Sequence, residues 1–347
     1  MDHTYMEIKS QFAALRKTFD YIAARQDEVL KFYKEKAPQS IVFTGCGSSY
    51  SLCQSAEFTS RIRLGKPAAA IPSGDLMLHA KNYLKMLEGA LVIAPTRSGS
   101  TSEVIHAIHN VKFLQPSLPV IGITCVENSD LAKIADLTLE IPWAFDESVC
   151  QTRTVTNLYL VNLLVLAYLS GDQKLIKELD AAISAGDGFI AKYEGKLKIV
   201  AGNDWQDALI LADGELQGLA SEGALAFTEI ARVPGRYHHL LDVRHGPMVL
   251  VNNRTLAVVS LDGEVTPYHL DLLRDLVQKG VMVITYSNSE IPPVPGVALQ
   301  VSADLELDGA ASGILFIYIA QALAYYKAIQ KGVNPDQPEG LDPWIKL

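Results

Sequence analysis

Two loops rich in serine and threonine lie in the first third of the sequence. Each follows an apolar run that is typical of a buried strand and precedes a helical pattern; the loops are Gly45-Cys46-Gly47-Ser48-Ser49 and Thr96-Arg97-Ser98-Gly99-Ser100-Thr101. The first turn of a helix leaves backbone N–H groups unpaired and carries partial positive charge, so hydroxyls and a guanidinium there can surround a dianion. An ordinary turn with Ser or Thr at the helix N-cap has the same composition. Two such loops on successive strand–helix units would lie side by side at the carboxyl ends of the strands, which favours a ligand that bears phosphate.

The second half of the sequence carries a different set of reactive side chains. Glu222 and Glu229 are seven residues apart in a helical pattern, so they share one face of that helix about two turns apart. Two carboxylates in an otherwise apolar stretch are either solvated or directed into a site, and their spacing taken alone favours a solvated face. Farther along, His245 lies in the polar turn Asp242-Val243-Arg244-His245-Gly246-Pro247, where its ring can titrate near neutral pH.

The four cysteines are not spaced like metal ligands. They are Cys46, Cys53, Cys125 and Cys150, and nothing in the sequence indicates an oxidising compartment, so we expect reduced thiols. Cys46 lies inside the first loop, but no histidine is near it in the sequence, which favours a small buried residue over a nucleophile. We expect neither a metal nor a cofactor.

The composition is that of a compact globular chain. Its 347 residues are 49% hydrophobic and 20% charged, which is enough for two cores of ordinary size. The formal net charge of -9 argues against nucleic acid or an anionic membrane as a partner, because both call for a basic surface. No secretory signal is visible, and the most apolar run, residues 310–326, contains Ser312 and Gln321 and is short for a bilayer span. We therefore expect a buried helix there and a cytoplasmic protein.

Short apolar runs alternate with helical patterns along most of the chain, which is typical of the α/β class with parallel sheets covered by helices. The predicted strands are 40–44, 90–94, 119–124, 137–141, 208–212, 255–260, 281–286 and 297–301, and the predicted helices are 50–63, 101–114, 152–170, 219–231, 266–279 and 309–331. We expect two doubly wound, flavodoxin-like domains over residues 37–175 and 195–332. An N-terminal helical arm over residues 1–36 precedes them, a helical connector joins them, and a C-terminal tail over 333–347 follows.

The predicted repeat is asymmetric at one loop. The second half has Ser260-Leu261-Asp262-Gly263-Glu264 where the first half has the loop that begins at Thr96. Acidic residues at that place would repel a phosphate, so we expect the first half to bind the phosphate and the second half to supply different chemistry.

The combined motifs resemble those of the sugar isomerase (SIS) domain. The resemblance is carried by the two hydroxyl-rich loops, the stretch Asn128-Ser129-Asp130-Leu131-Ala132, the run from Glu222 to Glu229 and Arg244-His245-Gly246-Pro247, and it covers the chain from about residue 36 onward. Chains with two SIS domains include the isomerase half of glucosamine-6-phosphate synthase, the tagatose-6-phosphate isomerase-like proteins and the fructosamine-6-phosphate deglycases. The resemblance implies a phosphosugar substrate and a homodimer whose sites are shared between subunits.

The resemblance also implies roles for individual residues. Glu229 falls on the family's base, which abstracts the sugar proton, and His245 falls on its ring-opening histidine, which comes from the neighbouring subunit. The chemistry agrees, because moving a proton between C1 and C2 needs a carboxylate base and opening a hemiacetal needs an acid–base group near neutral pKa. The residues implied to hold the substrate are Ser48, Ser49, Thr96, Arg97, Ser98, Thr101, Val149, Gln151 and Glu222.

The chain departs from the synthase at two lysines. Ala226 stands where the synthase has one Lys, and Pro343 stands where its tail has another; Lys346 is close enough to substitute only if the tail bends differently. We therefore expect no Lys-dependent transfer step. We also expect no glutaminase domain, because a helical pattern begins near residue 1 without an N-terminal Cys nucleophile.

These features favour a phosphosugar isomerase that acts on an aldose–ketose pair or an amino-sugar phosphate. A deglycase that cleaves an amino acid from a 6-phosphofructosamine is the alternative, because it would use the same base and histidine. A non-catalytic sugar-phosphate sensor would need neither Glu229 nor His245. A nicotinamide-binding domain is disfavoured, because the first loop lacks the third glycine of that fingerprint.

Overall fold

The computed structural model describes residues 2–261, 263–342 and 347, and in these residues it contains two parallel five-stranded sheets. The strands of the first sheet are β1 (Ser40–Gly45), β2 (Ala68–Pro72), β3 (Ala90–Thr96), β4 (Val120–Thr124) and β5 (Leu137–Glu140). Those of the second are β6 (Asp207–Leu211), β7 (Gly235–His238), β8 (Thr255–Ser260), β9 (Met282–Ser287) and β10 (Leu299–Ser302). Counted from its own first strand, each sheet has the order 2-1-3-4-5. The predicted α/β class with two doubly wound parallel sheets is therefore confirmed.

Helices alternate with these strands, as the periodicity predicted. They are α1 (His3–Ala24), α2 (Gln26–Lys36), α3 (Ser48–Leu64), α4 (Ser73–His79), α5 (Leu84–Leu87), α6 (Ser102–Leu114), α7 (Asp130–Ile134), α8 (Arg153–Ser170), α9 (Gln173–Ala201), α10 (Gln217–Glu229), α11 (Pro267–Gln278) and α12 (Gly309–Lys331). The predicted helical arm is thus two helices, and the connector is the first part of the long helix α9.

The chain divides into two compact units, each built on one sheet. Among the described residues, the first unit comprises 13–146, 151–176, 342 and 347, and the second comprises 2–12, 147–150 and 177–341.

The first unit is organised around strands that are buried on both faces. Every residue of β3 and β4 is buried, as parallel strands covered by helices require. In the core, Val42 and Val92 of adjacent strands pack with Val104 and Ile108 of α6. Strands β1 and β3 pair in parallel with Ile41 opposite Leu91, so their carboxyl ends meet at one edge. The predicted side-by-side arrangement of the two hydroxyl-rich loops is therefore confirmed.

The second unit has α12 as its central helix. This helix has the length and apolar composition to cross a membrane, but 89% of its most apolar window is buried inside the protein. The predicted buried helix is thus confirmed. Helix α10 packs closely on it, because a Cβ at Gly223 would lie only 3.0 Å from the Cβ of Ala320.

Two strands were not predicted, and both lie at sheet edges. β2 has the sequence Ala-Ala-Ala-Ile-Pro and β7 has Gly-Arg-Tyr-His, whose residues are all partly exposed. Alanine and charged residues have low strand propensity, and an edge strand needs less apolar surface than a central one.

Candidate active site

The first loop joins β1 to α3 through two glycines. Gly47 is at the helix N-cap with φ +51°, a backbone conformation that favours glycine, and α3 therefore begins at Ser48, two residues before the predicted start. A Cβ at Gly45 would lie 2.9 Å from the carbonyl carbon of Ser49. Ser48 and Ser49 are 5% and 4% exposed, so both hydroxyls lie inside the first turn of the helix.

Cys46 of this loop is partly buried, less than predicted, and it packs against the apolar core of the first unit. Burial, with a smaller contribution from the nearby Glu103 carboxylate, raises the pKa of the Cys46 thiol to about 11. At neutral pH the side chain is therefore a thiol rather than the nucleophilic thiolate, in agreement with the predicted structural role.

The second loop folds around the hydroxyl of Ser98. The Ser98 Oγ lies 3.4 Å from Thr101 Oγ1 and accepts a hydrogen bond of 3.2 Å from the backbone N–H of Ser100. Gly99 has φ +63°, and a Cβ there would collide with the side chain of Ser129. This position therefore requires glycine, and the tight turn directs both hydroxyls toward the start of α6.

Arg97 places a buried cation in the same loop. The residue is 3% exposed, and its guanidinium carbon lies 5.8 Å from the centre of the Phe145 ring. Its carbonyl oxygen accepts a 3.1 Å hydrogen bond from the Cys125 N–H, which joins the loop to the end of β4. A desolvated cation beside hydroxyls at helix N-termini suits a phosphate.

The chain's last residue lies against the same edge of the first unit, where the Leu347 N–H donates a 3.0 Å hydrogen bond to Ser102 Oγ. The two tail residues compared with the synthase lysine, Pro343 and Lys346, lie outside the described residues, as does Asp262 of the acidic loop.

The turn that holds Val149 and Gln151 is positioned by contacts that the sequence did not reveal. In the second unit, Glu7 Oε1 accepts the Glu147 N–H at 2.6 Å and the Ser148 N–H at 3.2 Å, and the Ser148 hydroxyl donates to Glu7 Oε2. The Val149 N–H donates to the carbonyl of Asp336 at 2.9 Å.

Gln151 belongs to the first unit. Its Oε1 atom is buried and accepts no hydrogen bond from the described part of the chain. An unfilled buried acceptor is costly, so this atom is suited to a donor from a ligand.

Helix α10 carries both carboxylates singled out above. Glu222 is 2% exposed, so the solvated interpretation is wrong for this residue, whereas Glu229 at the end of the helix is half-buried. The helix end is held to β7 by a 3.3 Å hydrogen bond from the Gly235 N–H to Thr228 Oγ1. The two carboxylates thus differ in their access to solvent although they share one helical face.

His245 is exposed on a turn whose neighbouring residues are anchored to the rest of the second unit. Arg244 donates from Nε and Nη2 to Asp275 Oδ2 of α11, at 2.8 and 2.7 Å, and the buried Val243 inserts into the core. The His245 N–H donates to the Asp242 carbonyl at 2.9 Å. Three apolar residues near His245 in the sequence are also exposed: Leu241, Val249 and Leu250 are 41%, 83% and 61% exposed.

The structure therefore divides the predicted site residues into two sets. The first unit holds Ser48, Ser49, Thr96, Arg97, Ser98, Thr101 and Gln151, and the second holds Val149, Glu222, Glu229 and His245. Glu7, Asp275 and Asp336, which position the site turns, were missed because each acts on residues at least about 30 positions away, and no local pattern signals such a contact.

Residues 33–167 match the sequence profile of the SIS domain family. The chain is 26% identical over 342 residues to the glutamine–fructose-6-phosphate aminotransferase (isomerizing) of Sulfurisphaera tokodaii; the match covers 96% of this chain but only 55% of that relative. The chain therefore spans about half the length of this curated relative. It is 27% identical to the D-galactosamine-6-phosphate deaminase of Shewanella sp. strain ANA-3, with 86% of this chain and 77% of the relative covered.

A solved structure matches the whole chain. The crystal structure of glucosamine-6-phosphate deaminase from Thermotoga maritima superposes with a TM-score of 0.85 at 25% sequence identity, and the match covers 100% of both chains. The match at residues 33–167 is thus a similarity to the SIS domain, and the chain as a whole has the α/β SIS fold.

Proposed function

We propose that this protein is a sugar-phosphate isomerase of the SIS type, which moves a proton between C1 and C2 of a ring-opened sugar phosphate. The observation that carries the proposal is the match, over the full length, to an amino-sugar phosphate deaminase at 25% identity. The relative named as isomerizing adds support, because its name describes the same carbon-to-carbon rearrangement.

In this proposal the first unit holds the phosphate. Ser98 and Thr101 lie within 3.4 Å of each other at the N-terminus of α6, and the α3 N-terminus with Ser48 and Ser49 adjoins them across paired strands. Hydroxyl donors, two helix dipoles and the buried Arg97 together compensate a dianion. Thr96 and the Gln151 amide complete the set of substrate contacts.

The second unit supplies the proton chemistry. Half-buried Glu229 is the base that takes the proton from the sugar carbon, and exposed His245 opens the ring. Buried Glu222 and the Val149 turn orient the open-chain sugar. In this proposal residues 37–175 and residues 195–332 are each a SIS domain, and the strand order that the two sheets share supports the assignment of the second.

We further propose a cytoplasmic homodimer in which His245 serves the neighbouring subunit. The exposed Leu241, Val249 and Leu250 support this assignment, because apolar side chains gathered around a polar turn are typical of an interface.

We favour the breakdown of an amino-sugar phosphate as the reaction over glutamine-driven synthesis of one. Ala226 is 3% exposed, so the position of the synthase Lys is filled here by a buried methyl group. Two similar proteins are named as deaminases of glucosamine 6-phosphate or galactosamine 6-phosphate. In such a reaction the proton moves from C2 to C1, and water then releases ammonia to leave the ketose phosphate.

The test is an assay of the products from four substrates. We would supply glucosamine 6-phosphate, galactosamine 6-phosphate, fructose 6-phosphate and the 6-phosphofructosamine of lysine, and measure ammonia, aldose and ketose phosphates, and free lysine. Ammonia with a ketose phosphate indicates a deaminase, and aldose–ketose exchange without ammonia indicates a simple isomerase. Free lysine from the last substrate alone would replace both with a deglycase, and binding without any product would favour a sensor.

A further inference from the structure

A cleft of about 490 Å³ opens in the second unit beside the C-terminal end of α12. Its walls combine the end of α12, the residues that precede β6 and those that precede β7. The lining residues are Asp204, Trp205, Gln206, Arg232, Val233, Pro234, Lys327, Gln330 and Lys331. None of them was singled out in the sequence, and none belongs to the proposed active site.

One of the lining residues of the cleft is a buried lysine. Lys327 is 4% exposed, and its Nζ lies 4.2 Å from the centre of the Trp205 ring, which is itself 2% exposed. The ammonium donates a 2.7 Å hydrogen bond to the carbonyl oxygen of Asn203. An ammonium group carries three N–H donors, so this bond uses one of them.

Two further cations, Arg232 and Lys331, line the cleft. Lys331 Nζ donates to the Arg232 carbonyl oxygen at 2.7 Å, which brings both charged residues to the same wall. Arg232 has φ +50°, a conformation that is uncommon for a residue with a side chain and that the surrounding structure must hold. The Arg232 guanidinium lies 3.5 Å from Glu339, whose side chain is 92% exposed, so this loose ion pair is easily exchanged for another anion.

The charge in the cleft is not balanced by its own residues. Arg232, Lys327 and Lys331 line the cleft with a single carboxylate, Asp204. With Glu339 paired to Arg232 the surplus is one positive charge, and it becomes two when an incoming anion displaces that exposed carboxylate, in a chain whose net charge is -9. Burial lowers the pKa of both lysines, and the neighbouring cations, Lys331 for Lys327 and Arg232 for Lys331, lower it further. A bound anion would relieve this repulsion and the cost of burial.

We propose that this cleft binds a tetrahedral dianion, either inorganic phosphate or the phosphate group of a sugar phosphate, as a site distinct from the Ser98–Thr101 loop. Once Glu339 is displaced, the surplus of two positive charges matches the charge of a dianion, and the lining cations come from α12 and from the segment before β7, so they can pair with different oxygens of a tetrahedral group. The partly exposed walls leave the rest of a phosphate ester in solvent.

The experiment uses the full chain with Ser98→Ala and Thr101→Ala, so that the proposed active-site loop contributes little. Calorimetric titrations with inorganic phosphate and with fructose 6-phosphate, at constant ionic strength in sodium chloride, should both show one saturable site. Adding Arg232→Ala and Lys331→Ala should weaken that site about tenfold or more, because two charge-assisted contacts are lost. Adding Lys17→Ala and Lys177→Ala, which removes two exposed charges elsewhere, should leave the affinity unchanged.

Binding that is saturable with phosphate but absent with fructose 6-phosphate would restrict the site to the free ion. The proposal is overturned if neither probe binds the loop variant, or if removing Arg232 and Lys331 side chains weakens binding no more than the control pair does. If the double variant folds poorly, Lys331→Gln alone is the substitute, because it nearly keeps the length of the side chain. Its affinity for both probes should fall, but by less than in the double variant. No readout depends on turnover, so a failure here is separate from a failure of the proposed reaction.

Discussion

The hydroxyls of Ser98 and Thr101 are the side chains on which phosphate recognition should depend most directly. Replacing both with Ala should weaken sugar-phosphate binding strongly, because each lost charge-assisted hydrogen bond costs roughly 1.5 to 3 kcal/mol. Calorimetry with fructose 6-phosphate measures the loss. Ser117→Ala, an exposed hydroxyl in the same unit, is the control and should bind as the wild type does. Equal affinity for the double variant would place the phosphate elsewhere.

Gly99 offers a second test at the same scale. An Ala there must adopt φ +63° and displace the Ser129 side chain, so Gly99→Ala should lower the free energy of unfolding by about 1 to 3 kcal/mol and reduce phosphate affinity as well. Gly188→Ala is the matched control, because it lies in α9 with open space at its Cβ, and it should raise stability slightly. Urea unfolding measures the change in stability. If Gly99→Ala leaves the free energy of unfolding unchanged, the turn adapts to the added methyl group and the prediction is wrong.

Individual residues were predictable from the sequence where the signal was local. Hydroxyls between a strand and a helix can pair with the free N–H groups of the first helical turn, so their place was predictable. The paired strands β1 and β3 bring the two loops together as expected. The burial of Glu222 was not predictable, because seven-residue spacing gives a helical face but does not say what covers it. The support of His245 by Asp275 depends on the packing of α11, which no local pattern contains.

At the scale of elements, Asp336 joins the start of α1 to the turn at Val149. Its carboxylate accepts the N–H groups of His3 and Thr4, both at 2.8 Å, and its carbonyl accepts the Val149 N–H. Burial alone would raise the pKa of Asp336, but the hydrogen bonds from Thr4 and His3 outweigh burial and lower it. A carboxylate with a depressed pKa stabilises the fold above its unfolded value, about 3.9, and loses that effect as the pH falls through the folded value.

Asp336→Asn should therefore cost about 1 kcal/mol of unfolding free energy at pH 7, because one of the two oxygens that accept the His3 and Thr4 N–H groups becomes an amide NH₂ group. The difference from wild type should shrink as the pH falls below about 4, because the carboxyl is protonated first in the unfolded chain and then, at its lower folded pKa, in the folded protein. Urea unfolding at several pH values measures both effects. Asp187→Asn, an exposed carboxylate of α9, is the control and should change little. A cost that stays constant down to pH 3 would contradict the charge-based explanation.

Element types were predicted well for long periodic helices and central strands, because their apolar pattern is strong. α12 has the predicted bounds of 309–331, and β8 has those of 255–260. Two of the four edge strands, β2 and β7, were not predicted, because they need little apolar surface and are built largely from alanine or polar residues. The start of α3 was predicted two residues late. Gly47, with its positive φ, lets the chain turn sharply into the helix at Ser48, and the apolar periodicity does not reveal such a turn.

At the scale of the whole molecule, the two sheets repeat one strand order, yet the proposed chemistry is divided between them. The repeat was predictable because both halves alternate strands with helices. The division of the chain into units was harder to predict, because residues 147–150 are grouped with the second unit although their sequence neighbours belong to the first.

The proposed homodimer has a direct test in complementation. Inactive Glu229→Gln chains mixed with inactive His245→Ala chains should regain about a quarter of the wild-type activity, because half of the dimers are mixed and each mixed dimer has one intact site. Light scattering and a tag-based exchange assay establish that subunits mix. A monomeric protein, or no recovery after proven exchange, would contradict a shared site.

The central claim is that Glu229 moves a proton on a sugar phosphate, and solvent exchange tests it most directly. In deuterium oxide, proton NMR should show that the wild type introduces deuterium at C1 or C2 of glucosamine 6-phosphate or fructose 6-phosphate. Glu229→Gln should slow that exchange by about 10² to 10⁴ while still binding the sugar phosphate, because only the base is lost. Glu290→Gln, an exposed carboxylate of the same unit, should exchange at the wild-type rate. Exchange that persists in Glu229→Gln, or a wild type that binds these sugars and never exchanges their protons, would contradict the account.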